Sequence, residues 1–174
     1  MLILLRYIAK LLKALSSEAS PNQLAAGFVL GMIIGLTPVM SLHNLFILLI
    51  ILVVKVNIGM AVLSFLIFSG IAYLADPIFH QFGAILLELE SLQQTYTKLY
   101  NNEWIALSRF YNTVVIGSFV IALLMVIPMF PLTKIFVHQY RKNIHEKVQK
   151  WKLVRWFKGT KLYSIYATIS RVRG

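Results

Sequence analysis

The stretch that decides the fold is residues 20–57, SPNQLAAGFVLGMIIGLTPVMSLHNLFILLIILVVKVN, two apolar runs separated by a short break. Ser20 is a favourable N-cap, Pro21 suits the first helical position, and Gln23 completes a capping box. The sequence therefore predicts a helix from Pro21 to about Leu36. It should end there because a proline, Pro38, disfavours helical geometry in the residue before it.

The second apolar run predicts a helix of thirteen residues, Leu42 to Val54, with Ser41 as its cap. The two helices would be about 24 Å and 20 Å long, whereas the hydrocarbon core of a bilayer is about 30 Å thick. We therefore interpret residues 21–54 as a re-entrant helical hairpin with residues 37–41 at its buried tip. Two short, tilted full spans are the alternative, and either returns the chain to its starting side.

Glycines recur at every fourth position of the first helix, at Gly27, Gly31 and Gly35. This spacing leaves a smooth groove along one helix face, which lets another backbone approach closely. We expect a helix-packing surface here.

Composition places the chain in a membrane. Of its 174 residues, 59% are hydrophobic and 13% are charged, and the mean hydropathy is +0.76. Soluble domains carry roughly 25% charged residues. The fold class we predict is an all-α integral membrane protein. The chain has no cysteine, which excludes disulfides and thiolate chemistry.

The membrane domain is predicted to cover residues 20–131. Residues 58–75 form an uninterrupted apolar run long enough to span a bilayer, and Asp76-Pro77 should end it. Residues 76–111 are mixed, with one or two interfacial helices expected. Residues 78–99 have one apolar face, and residues 112–131 form the last span. The apolar face comprises Ile85, Leu89, Leu92, Tyr96 and Leu99.

Both ends of the chain predict helices that lie on the membrane surface. Residues 1–19 combine an apolar face with a cationic stripe, although packing on the protein's own core is the alternative. The stripe lies inside the apolar stretch, unlike the charges of a secretory signal. Residues 132–174 form a basic amphipathic tail with an apolar stripe. The cations expected to contact lipid head groups are Arg6, Lys10, Lys13, Arg141, Lys142, Lys150 and Lys152. The apolar stripe of the tail is Val137, Tyr140, Ile144, Val148, Trp151 and Val154.

The net charge of +11 is concentrated in this tail, because eleven of the seventeen Lys and Arg residues follow Leu132. The positive-inside rule then places both termini in the cytoplasm and residues 76–111 outside. Anionic phospholipids of the cytoplasmic leaflet are the expected partners. Nucleic-acid binding is the competing interpretation of the same charges, disfavoured because the tail is tethered to the membrane.

The sequence carries no pattern typical of an enzyme: no metal-ligand spacing, phosphate loop, serine elbow or pair of catalytic carboxylates. We therefore expect no catalysis, no metal and no cofactor. A polar cluster at the hairpin tip is the one candidate site, because polar groups at membrane depth are costly unless they are paired or used. They either cap the broken backbone and bond to a neighbouring helix, or line a substrate site. The cluster is Thr37, Pro38, Ser41, His43 and Asn44.

Residues 20–87 resemble a family of bacterial inner-membrane proteins known only as domain of unknown function 2062. The resemblance lies in Pro21, the Ala-Gly-Phe around Gly27, Gly31, the break at Pro38, and four further matches. This chain has Asp76 where the family has Asn, and it lacks the Gly after the break. The resemblance implies the bacterial inner membrane and supplies no catalytic residues. The four further matches are Asn57 at the end of Lys-Val-Asn, Asp76, Pro77 and Gly83.

Three functions fit these features. The leading hypothesis is a lipid-handling component, for phospholipid transport or membrane homeostasis, that works with a larger membrane-protein partner or as a homo-oligomer. A small-solute transporter is the second, with a midplane site at the broken helix. Asp76 could serve it as an ion site, or be a solvated turn residue before Pro77. The third is a scaffold or accessory subunit.

Overall fold

A computed structural model describes residues 19–144 of the protein. The predicted N-terminal amphipathic helix and most of the basic tail lie outside these residues. Within them the chain is helical and contains no strand. The helices are α1 (Pro21–Leu36), α2 (Leu42–Val53), α3 (Ile58–Glu88), α4 (Glu90–Tyr100), α5 (Glu103–Ala106) and α6 (Thr113–Gln139), followed by a π-helical turn (Tyr140–Ile144).

Helix α1 is the centre of the bundle. It begins at the predicted capping box, where the Ser20 hydroxyl accepts from the Gln23 amide at 3.2 Å and the Gln23 side chain accepts from the Ser20 amide at 2.8 Å. Every residue from Gly31 to Thr37 is buried. The helix packs mainly on α3 and α6 and only lightly on α2. An apolar helix without a polar face is typical of this central position.

Helices α1 and α3 run in parallel, and α6 returns antiparallel to both. The Asn57 amide, just before α3, donates to the Gln23 carbonyl near the start of α1 at 3.1 Å. At the far end of α6, Arg141 Nη2 donates to the Ala19 carbonyl at 2.7 Å. The chain therefore starts α1, returns from α2 and leaves α6 at one end of the bundle, which we call the basic end. The same end carries Lys55 and Lys142.

Helix α3 corrects the prediction that Asp76-Pro77 ends the span. The helix continues through Pro77 to Glu88, over 31 residues in all. Proline removes one backbone hydrogen bond, but packing against neighbouring helices can hold a helix together across it. Here α6 lies against α3 at Phe79 and Gly83, just past the proline. Both α3 and α6 are long and apolar enough to cross a membrane, which indicates membrane association.

The boundary predicted at residue 131 is also wrong, because α6 runs through Pro128 and Pro131 to Gln139. Val137 and Tyr140, assigned to the apolar stripe of a surface tail, are buried against Leu24, Met60 and Leu63. The first turns of the tail therefore complete the protein's own core.

A bend at Leu89 divides the helix predicted over residues 78–99 between α3 and α4. The backbone of Leu89 is extended, and it caps both helices. The apolar face expected across this stretch is therefore split, with Ile85 on α3 and Leu92, Tyr96 and Leu99 on α4. Asn102 caps the short α5 by accepting from the Trp104 and Ile105 amides.

Candidate functional site

The reversal between α1 and α2 is held by two buried polar side chains. Thr37 Oγ1 lies 2.9 Å from the Ile33 carbonyl and 3.0 Å from Asn44 Oδ1. The Asn44 amide group donates to the Pro38 carbonyl at 3.0 Å and lies 3.4 Å from the Val39 carbonyl. Thr37 and Asn44 are only 3% and 2% exposed. Their hydrogen bonds are directed to the turn itself, so Asn44 does not bond across to a neighbouring helix as one interpretation proposed.

The other residues of the predicted tip cluster separate from this pair. Ser41 occupies the N-cap position of α2 without making a cap bond; its hydroxyl donates to the Pro38 carbonyl at 2.6 Å. Pro38 and its two successors are exposed, so the turn is not buried throughout. His43 is partly buried, stacks on Phe119 of α6 with ring centroids 4.5 Å apart, and leaves Nε2 without a hydrogen-bond partner.

The glycine face of α1 lies against the backbone of α3. A Cβ at Gly27 or Gly31 would collide with the carbonyl oxygens of Asn57 and Ala61, and one at Gly35 would lie 2.8 Å from the Phe65 carbonyl. This groove is filled by the chain itself. It is therefore not free to receive a second subunit.

A second close crossing joins α3 to α6. A Cβ at Gly83 would collide with the Thr113 carbonyl, and one at Gly117 with the Phe79 carbonyl. Beside this crossing, His80 Nδ1 and Thr113 Oγ1 are 2.6 Å apart. The sequence had marked Gly83 only through the family resemblance, and a single glycine at each site forms no repeating pattern. The reciprocal pairing could not be read from the chain.

Helix α2 presents most of its surface outward. Only Asn44, Ile47 and Ile51 are buried among its residues. Its exposed large apolar side chains cover the remaining faces. They are Leu45, Phe46, Leu48, Leu49, Ile50, Leu52 and Val53.

The remaining predicted site residues do not gather at the tip. Asp76 and Pro77 are exposed along α3. Arg141 and Lys142 lie at the basic end, and the other proposed head-group cations fall outside the described residues. Within residues 19–144 no three His, Asp or Glu side chains are grouped so that they could hold a metal ion.

Comparison with known proteins places this architecture in a family. Residues 5–146 match the family model described as an uncharacterized protein conserved in bacteria (DUF2062). The chain belongs to the DUF2062 family. The match covers all six helices, so the family extends well past residue 87, where the resemblance in the sequence had stopped.

The chain is also similar to an uncharacterized protein of Treponema pallidum (strain Nichols). It is 28% identical over 145 residues, which cover 83% of this chain and 90% of the relative. No solved structure matches the chain.

An aromatic pocket at the end opposite the basic end was missed by sequence reasoning. Tyr96 and Tyr100 of α4 face Phe110 and Tyr111, which precede α6, and the four rings line a cavity of about 350 Å³. Tyr96 had been assigned to an apolar helix face, and the other three rings had no assignment. Their density between residues 96 and 111 was the available signal.

Proposed function

We propose that this DUF2062 protein is a multi-pass protein of the bacterial inner membrane that moves or presents phospholipid, together with a larger partner. The observation that carries the proposal is α2, a short apolar helix exposed along its length. Its twelve residues give about 18 Å, against a hydrocarbon core of about 30 Å.

A short apolar helix on the outside of a bundle favours local thinning of the bilayer, because lipid adjusts to a hydrophobic mismatch. The α1–α2 hairpin is closed by the Thr37–Asn44 hydrogen bond at one end and by the Asn57–Gln23 bond at the other. These bonds close the hairpin at both ends, and the short length of α2 favours a re-entrant hairpin over two full spans. Thinned bilayer beside it would lower the barrier to head-group passage.

Charge supports the orientation of the proposed protein. Among residues 19–144, Lys55, Lys134, Arg141 and Lys142 lie towards the basic end. All four acidic residues of this range lie between the middle of α3 and α5, together with one base, Lys98. The positive-inside rule then assigns the basic end, and both termini, to the cytoplasm. The acidic residues are Asp76, Glu88, Glu90 and Glu103.

The test is lipid movement in proteoliposomes that contain a fluorescent phospholipid, with dithionite added outside to bleach the outer leaflet. We expect bleaching beyond one half of the fluorescence with the protein present, and faster bleaching in bilayers of longer acyl chains, where the mismatch is larger. Asn44→Leu should slow it by opening the hairpin tip. Leu124→Ala, an exposed position on α6, is the matched control. Bleaching that stops at one half, as in protein-free vesicles, would refute lipid movement by the chain without its partner.

Transport of a small solute is the second candidate, and His43 is the observation that favours it. Its Nε2 is buried without a partner beside Phe119, and unpaired ionisable groups at membrane depth often mark substrate or proton pathways. Flux of a candidate solute should then fall in His43→Ala and persist in Ser41→Ala. Equal flux in both variants would remove His43 from the mechanism.

A further inference from the structure

Specific contacts hold the walls of the aromatic pocket in place. Helix α4 is tied back to the end of α3 by Gln93 Nε2, which donates to the Leu87 carbonyl at 2.6 Å, and by the Tyr96 hydroxyl, which donates to the Leu86 carbonyl at 3.1 Å. These two bonds fix the face of α4 that carries the rings. The pocket is therefore held from the α3 side by hydrogen bonds to backbone carbonyls.

The opposite wall depends on a strained residue. Arg109 has φ of 56° and is the one non-glycine residue with positive φ in the described chain. This conformation costs roughly 1–2 kcal/mol for a residue with a side chain. It directly precedes Phe110 and Tyr111, whose rings pack at 6.1 Å, while Tyr111 meets Tyr100 edge-on at 5.5 Å. Backbone strain of this kind clusters at functional sites.

The chemistry of the lining selects a cation. Four aromatic rings line this open pocket, and no charged side chain is among its lining residues. Aromatic faces attract ammonium groups, and cages of this kind recognise quaternary ammonium. Without a Lys, Arg or helix N-terminus among its lining residues, the pocket offers nothing to balance a bound anion. Acids also outnumber bases nearby, with three glutamates against Lys98 and Arg109 between residues 88 and 111.

We propose that this pocket binds a small organic cation of the alkylammonium class. The ammonium group enters from the open side and lies against the faces of Tyr100, Phe110 and Tyr111. The cation belongs either to the head group of a zwitterionic phospholipid or to a free solute. The site is separate from the hairpin and does not depend on lipid movement.

The test compares choline with 3,3-dimethylbutan-1-ol, a neutral isostere of the same shape, on the full chain in detergent by saturation-transfer NMR titration. We expect choline to bind at least about fivefold more tightly. Equal affinity for both compounds would show an apolar pocket without cation selectivity and overturn the proposal. So would the absence of saturable binding, with the rings then acting only as interfacial anchors.

Substitutions at the rings distinguish the effect of their aromatic faces from the effect of their size. Tyr100→Leu and Tyr111→Leu should each weaken choline binding roughly two- to fivefold, whereas Tyr100→Phe keeps the aromatic face and should retain it. Tyr73→Leu, an exposed ring on α3 outside the pocket, is the matched control. Thermal unfolding of each variant checks that the fold is intact. Unchanged binding in folded Tyr100→Leu and Tyr111→Leu would contradict the proposal.

The source of the cation is read from nanodiscs of phosphatidylcholine and of phosphatidylglycerol. Loss of free choline binding in phosphatidylcholine discs alone identifies a lipid head group as the occupant. Equal choline binding in both discs identifies a free solute. Either result supports alkylammonium recognition, and loss of binding in both discs contradicts it.

Discussion

Gly31 is a residue at which the bundle has no room for a side chain. A Cβ there would collide with the Ala61 carbonyl, and this atom belongs to the α3 backbone, which cannot rotate away as a side chain can. Gly70 lies inside helix α3 and has nothing within 4 Å of a Cβ added to it. The two glycines therefore offer a matched pair that differs only in surroundings.

We predict that Gly31→Ala lowers the free energy of unfolding by about 1–3 kcal/mol, the usual effect of overpacking. Gly70→Ala should instead raise it by up to about 1 kcal/mol, because alanine favours a helix over glycine. Thermal unfolding of the purified variants in one detergent measures both. Equal transition temperatures for the two variants would mean that α1 and α3 are not in close contact.

Asn44 is a second residue whose replacement should lower the stability of the protein. Replacing it with leucine, which has the same branching, removes its bond to the Pro38 carbonyl and its bond from the Thr37 hydroxyl, together about 1–3 kcal/mol at about 0.5–1.5 kcal/mol each. We predict a loss of stability of that size for Asn44→Leu. Ser41→Ala, which removes a bond on the exposed side of the same turn, should lose less. A larger loss in Ser41→Ala would contradict the geometry of the tip.

At the scale of elements, the sequence predicted those helix boundaries that depend on local chemistry. The capping box at Ser20 and the break before Pro38 are recorded in adjacent residues, and α1 begins and ends where they indicate. The boundaries at Pro77 and Pro131 failed because a proline's effect depends on what packs beside it. The support that α6 gives α3 comes from Gly117, forty residues along the chain from Pro77. The same reason hid the aromatic pocket, whose walls come from separate elements.

The continuous α3 makes a prediction about Pro77. Because this proline lies inside a helix, Pro77→Ala should restore a backbone hydrogen bond and raise the free energy of unfolding by roughly 1–3 kcal/mol. Pro21→Ala is the control. It should change the free energy of unfolding little, because the first helical position needs no amide donor. Thermal unfolding compares the two. A loss of stability in Pro77→Ala would indicate a turn at this position, as the sequence had suggested.

At the scale of the whole molecule, one geometric fact fixes the relation among the chain ends. Hydrogen bonds from Asn57 to Gln23 and from Arg141 to Ala19 bring the start of α1, the start of α3 and the end of α6 to the basic end. The turn between α4 and α5 comes after the end of α3 and before the start of α6, which both lie at the opposite end of the bundle. Any membrane orientation must therefore place the first three together, and Asn101 away from them.

The absence of cysteine from the chain allows a direct test of this arrangement. Single cysteines at Ser20, Lys55 and Asn101 are all at exposed positions, so burial does not limit labelling. The proposed orientation, with the basic end in the cytoplasm, predicts that a membrane-impermeant maleimide added to intact spheroplasts labels only Asn101→Cys. All three should label after lysis, which controls for reactivity. If Ser20→Cys and Lys55→Cys labelled from opposite sides, α1 and α2 could not be a re-entrant hairpin. If both labelled from outside and Asn101→Cys only after lysis, the hairpin would stand but the charge argument for its orientation would fail.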